Sequence, residues 1–95
     1  MKEELLQAIE VGEPVLLVTA IGYIVGIVET KGELIRLNDV YINCVSASRV
    51  NRFSRGLAVN VNQVIGMQLL SKSEKDEMIG GWKAYVAPTA GKAMI

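Results

Sequence analysis

The run Val15-Leu-Leu-Val-Thr-Ala-Ile-Gly22-Tyr-Ile-Val-Gly26-Ile-Val-Glu, closely followed by Leu34-Ile-Arg-Leu-Asn-Asp-Val-Tyr-Ile-Asn43, leaves this chain few folds to adopt. It reads as three consecutive, strongly apolar strands. Two glycines four residues apart, set among β-branched residues, mark a sharply bent sheet whose backbone comes too close to a neighbour to leave room for a side chain. Such a bend is expected of a small, closed or nearly closed β-barrel. Barrels of this size serve many functions, so function has to be argued from the site.

Ninety-five residues, 51% of them hydrophobic, suffice for one modest core and no second domain. A chain this short and apolar is expected to cover part of its surface with copies of itself. The single cysteine, Cys44, has no intramolecular partner and reads as a small buried hydrophobe, which suits a reducing, cytoplasmic setting. The longest apolar run, Val15 to Val28, is interrupted by Thr19 and two glycines and is too short to span a bilayer as a helix, so no membrane partner is expected.

Periodicity orders the chain. Residues 2–11 read as a short amphipathic helix with Leu5, Leu6 and Ile9 on one side, acids in the first turn and Gly12 beyond its end. Pro14 opens a strand to Ile21, Tyr23 to Glu29 form a second, and Lys31-Gly32 turns into a third. In that third strand Ile35 and Leu37 share one parity while Val40, Ile42 and Cys44 share the other. A bulge near Asn38-Asp39 is needed to turn both sets inward. Leu57, Val59 and Val61 alternate, Asn62-Gln63 makes a turn, and Val64 to Leu70 form a fifth strand. The barrel is thus expected over about 14–70. Residues 71–95 read as an appendage: a helical turn at Ser71–Met78, a flexible joint at Gly80-Gly81 and a short strand at Trp82–Val86. Trp82 and Tyr85 are expected to dock on the barrel or a neighbouring subunit.

Net charge is zero but unevenly spread. Residues 1–39 hold seven acids and three bases, 40–73 hold four bases and no acid, and 74–95 hold three of each. Within the basic segment Arg49, Arg52 and Arg55 recur every third residue. That spacing suits a polar loop and makes a candidate phosphate-contacting patch, or else a solvated surface paired with acids of a neighbour. Phe53 between them is expected to tuck into the barrel end rather than stack on a base, and Lys31 to be a solvated turn residue.

The pattern around Gly22 and Gly26, with Leu34-Ile-Arg-Leu37-Asn-Asp39-Val-Tyr-Ile42, resembles the first motif of the Sm-like (LSm and Hfq) superfamily. Leu57-Ala-Val-Asn-Val-Asn-Gln-Val-Ile-Gly-Met-Gln-Leu69 is similar, more loosely, to the two short strands and turn that close its barrel. The resemblance covers about residues 4–70. It implies a mainly β, strongly bent, five-stranded SH3-like barrel with a short N-terminal helix, assembled through edge strands into a homo-oligomeric ring that binds RNA. An Sm-like domain is accordingly expected over 1–70. The positions where uridine-binding members place an Asp and an Asn hold Thr30 and Leu34, and the usual Arg-Gly of the final turn is replaced by Asn62-Gln63. Uridine specificity is therefore not implied. What remains is a polar turn at the expected pore, Asn62 and Gln63 with Lys31 nearby, and the three arginines.

Enzyme chemistry finds no constellation. Without histidine there is no imidazole base, and one cysteine makes no thiolate metal cluster. No phosphate-binding glycine loop joins a strand to a helix. The sequence points to a non-enzyme without cofactor, one that binds single-stranded RNA or DNA through Arg49, Arg52, Arg55, Lys31, Asn62 and Gln63. A ring that binds protein partners is the alternative.

Overall fold

Helix α1 (Lys2–Ala8) buries Leu5 in the core, as does Ile9 just past its end, and keeps Glu3 and Glu4 in its first turn. The computed structural model describes residues 2–44 and 49–89, with side chains at 3–44 and 50–83. After α1 come β1 (Pro14–Thr19), β2 (Gly22–Thr30), β3 (Leu34–Cys44), β4 (Arg49–Phe53), β5 (Leu57–Asn60), a 3-10 turn (Val61–Gln63), β6 (Val64–Leu69) and α2 (Lys72–Thr89).

All strand pairings are antiparallel, in the order β4-β3-β2-β1-β6, and β5 pairs with the first half of β3 while β4 pairs with the second. The expected bulge is present. Val25 faces Tyr41 but Ile27 faces Asn38, so β3 carries an extra residue at Asp39-Val40, and Asp39 takes a left-handed φ of 50°. The phase change keeps Ile35, Leu37, Val40 and Ile42 all inward, in one core with Ile9, Val15, Leu17 and Val28. Cys44 is half-buried against that core rather than fully enclosed.

Gly22 and Gly26 sit where β3 approaches β2 too closely for a side chain. A Cβ on Gly22 would meet the carbonyl oxygen of Asn43 and the Cα of Cys44, and one on Gly26 would lie 3.0 Å from Leu37 Cβ and 3.1 Å from the carbonyl oxygen of Asn38.

Three expectations are corrected. The described residues form six strands rather than five, because the arginine segment read as a loop is the edge strand β4, with only Ser54–Gly56 left as a turn before β5. In β4 the pairing with β3 sets the conformation, and arginine on an edge strand discourages indiscriminate edge pairing. Phe53 is not tucked into the barrel end but is 37% exposed.

The third correction concerns the tail, where one helix runs through the expected turn, joint and strand. Ser71 and Glu74 start it as a reciprocal capping box: Glu74 N–H donates to Ser71 Oγ (3.1 Å) and Ser71 N–H to Glu74 Oε1 (2.7 Å). Lys75, Met78, Ile79 and Trp82 then recur at helical spacing. Ile79, Met78 and Trp82 pack with Leu70 on the outer face of the sheet, against Leu16, Val25 and Tyr41. Trp82 docks as expected and lies 6.5 Å from the Tyr23 ring; the Tyr85 side chain lies outside the described residues. The helix carries Gly80 and Gly81 although nothing stands within 4 Å of a Cβ at either. Replacing each by Ala should therefore raise stability by about 0.5–1 kcal/mol, read as a higher urea midpoint at unchanged slope.

Candidate nucleic-acid interface

The candidate residues fall into three groups. At one end of the barrel the β2–β3 turn lies beside the 3-10 turn, joined by Val61 N–H donating to the Glu33 carbonyl at 3.2 Å. Lys31 lies in the first of these turns and Asn62 and Gln63 in the second. The Lys31 ammonium is engaged rather than merely solvated, since it donates to the Ile9 carbonyl at 2.9 Å and so satisfies an acceptor at the end of α1. Asn62 and Gln63 are exposed, and the Asn62 backbone N–H donates to Asn60 Oδ1 at 2.9 Å. Leu34, paired with Asn60, exposes an apolar side chain at this end.

The second group is Arg55 and Arg36. Arg55 is exposed in the turn between β4 and β5, and its carbonyl accepts from the Arg36 guanidinium at 3.2 Å. Arg36 also pairs with Glu29 at 3.2 Å, while Arg55 has no ion pair among the described residues. Arg36 was not a sequence candidate. Its outward parity on β3, opposite to Ile35 and Leu37, was the signal available.

The third group surrounds Asp39. Its carboxylate takes Arg52 on one oxygen at 3.0 Å and Lys75 of α2 on the other at 3.1 Å. Burial pushes the Asp39 carboxyl up, but the hydrogen bonds and charges of Lys75 and Arg52 outweigh it and hold the carboxyl below its ordinary range. The same carboxylate pushes the Arg52 guanidinium up. Arg52, Lys75 and Lys83 all stand over the Tyr41 ring, 5.6, 5.7 and 5.1 Å from its centre. Lys75 and Lys83 escaped sequence reasoning because the tail was not expected to form a helix lying on β3. Arg49 pairs in register with Cys44, but its side chain lies outside the described residues. The acid paired with Arg52 is thus Asp39 of the same sheet.

Beside β5 an apolar cleft of about 290 Å³ opens between Ile21, Ile24, Ile42, Leu57 and Val59, with Gln63 at its margin. No group of three or more potential metal ligands occurs among the described residues, and none of their helices is long and apolar enough to cross a membrane.

This bent sheet with its N-terminal helix is the Sm-like fold. A heptameric archaeal Sm protein superposes with a TM-score of 0.56 at 18% identity over 70% of this chain and 97% of its own. The SmAP1 heptamer of P. aerophilum gives the same score and identity over 72% of this chain and 90% of its own. No family model and no curated protein matches the sequence.

Proposed function

We propose that the chain is a ring-forming Sm-like protein that binds single-stranded nucleic acid, RNA in preference to DNA, through phosphate contacts, and serves RNA or DNA processing or metabolism without catalysis of its own. The observation that carries the ring is the state of the sheet's ends. Among the described residues β6 pairs only with β1, and β4 and β5 only with β3. Open edges of this kind need partners. Next to them β6 exposes Ile65 (67%) and Leu69 (50%), and β5 flanks the apolar cleft. Head-to-tail pairing of the β6 edge with the β4–β5 edge of another copy covers both and closes into a ring.

Arg55, Asn62 and Gln63 supply exposed polar groups for a strand, joined in this reading by Arg49, Arg52 and Lys31. With Thr30 and Leu34 in place of a base-reading pocket, binding depends on phosphates, is weakly sequence-specific and weakens steeply with salt.

The test is native mass measurement together with fluorescence anisotropy of labelled oligouridine, mixed single-stranded RNA, single-stranded DNA and duplex DNA at low and near-physiological salt. The expected result is a ring that selects single strands. Changing Arg49, Arg52 and Arg55 to Ala should leave its mass intact, weaken binding at least tenfold and flatten the salt slope by about two, at ~0.7 per phosphate contact. The pairing of Arg52 with Asp39 favours a second reading, a ring that binds protein partners. An intact ring that binds none of the four nucleic acids at low salt would overturn the first reading and turn the search to protein partners.

A further inference from the structure

Charge is unbalanced where α2 crosses the β3–β4 face. Arg52, Lys75 and Lys83 come from two separate elements, β4 and α2, yet all three lie within 6 Å of the centre of one Tyr41 ring. Lys75 is buried, its side chain only 7% exposed, and it shares its one carboxylate partner with Arg52. The triad Arg52–Asp39–Lys75 therefore keeps one net positive charge, with the Arg52 side chain 56% exposed at its open end. Lys83 adds another, with no ion pair among the described residues. With Asp39 shared between Arg52 and Lys75 and no described carboxylate bound to Lys83, the cations around Tyr41 outnumber the acids that bind them, so this arrangement attracts an anion.

The space for one adjoins it. A cleft of about 280 Å³ is walled by Asp39, Tyr41, Lys75, Asp76, Ile79 and Lys83. That leaves room for an oxyanion and several waters of ~30 Å³ each. Asp76 is the one opposing charge on the wall that is not taken up by the triad.

We infer that this cleft is an oxyanion site that takes a phosphate group, contacted by Lys83 from its wall, with Arg52 beside the Tyr41 ring and buried Lys75 completing the cationic set. The phosphate can come from a nucleic-acid strand, which rests on the function proposed above, or from free phosphate or pyrophosphate, which does not. In the first case the strand runs along the α2 flank as well as the barrel end.

Two measurements on the full chain separate these sources. In thermal unfolding, pyrophosphate should raise the midpoint of the wild type above a sodium chloride control of equal ionic strength. It should do so less for Lys83→Gln, again fully for Lys83→Arg, and more for Asp76→Asn. No rise in the wild type, or an equal rise in Lys83→Gln, overturns the site whatever the protein does with nucleic acid. In anisotropy, Lys83→Gln should bind single-stranded RNA about fivefold more weakly, with a salt slope reduced by ~0.7, the value for one phosphate contact. Wild-type RNA binding that Lys83→Gln leaves untouched excludes the strand as the source while the nucleic-acid reading stands. Absence of RNA binding sinks that reading, and the pyrophosphate result alone then decides the site.

Discussion

Gly22→Ala should cost about 3 kcal/mol, at the upper end of what overpacking does, and should lower the urea midpoint accordingly. The obstacle to the new methyl is backbone: the carbonyl of Asn43 and the Cα of Cys44 on the paired strand. A side chain could rotate away, but these atoms can retreat only by breaking the Gly22–Cys44 and Tyr23–Asn43 pairings that start the β2–β3 ladder. Gly26→Ala is the informative companion. Its Cβ would meet the Leu37 side chain at 3.0 Å and Val40 Cγ2 at 3.2 Å, with the Asn38 carbonyl oxygen at 3.1 Å, all three at the bulge. At 3.0–3.2 Å these neighbours need give only by a few tenths of an ångström, whereas Gly22 faces direct overlap with backbone, so the cost of Gly26→Ala should be smaller, near 1–2 kcal/mol. Equal and small losses at both sites would mean that the bend is not as tight as the register requires.

That contrast also explains why the barrel was legible in the sequence. Two glycines among β-branched residues record a close backbone approach, and the parity change from Leu37 to Val40 records the bulge. Both are local consequences of the bend, written within single strands. Strand β4 left no such record. It is an edge strand in which Val50 and Asn51 are half-buried and Arg52 and Phe53 exposed, so pairing with β3 and not burial makes it a strand. A polar, arginine-spaced segment looks the same on paper as a loop. The tail did carry its signal, the Ser71–Glu74 capping box and the Lys75, Met78, Ile79, Trp82 stripe. Gly80-Gly81 obscured it, because two poor helix formers suggest an end where docking on Val25 and Tyr41 sustains a helix.

The site was less legible than the fold. Arg52, Arg55, Asn62 and Gln63 are exposed, as a binding role needs. Their partners, however, are set by tertiary contact across long separations: Lys31 with Ile9, Arg36 with Arg55, Lys75 with Asp39. Asp39 is the case in point. Nothing in the sequence links its carboxylate to a lysine 36 residues away.

Asp39→Asn should therefore destabilise the protein mainly through Lys75. Asparagine tolerates the left-handed conformation at this position, so the backbone is spared and only the charge is removed. Lys75 is then left 7% exposed with no counterion. Stripping one partner from a fully buried pair costs about 3–5 kcal/mol. Because the Asp39 side chain is 35% exposed and water can reach it, about 2 kcal/mol is the expected loss near neutral pH. The dependence on acidity identifies the cause. The folded carboxyl titrates below its ordinary value of 3.8, so its contribution is complete above that value and is lost as pH falls through the folded one. The wild type and Asp39→Asn should accordingly differ in urea at pH ~7 and converge as pH falls below 3.8 and through the folded value, where both side chains become neutral. A difference that persists in acid would assign the loss to packing at the bulge. No difference at neutral pH would mean that Lys75 reaches water once its partner is gone, and that α2 lies more loosely on the sheet than its buried ammonium requires.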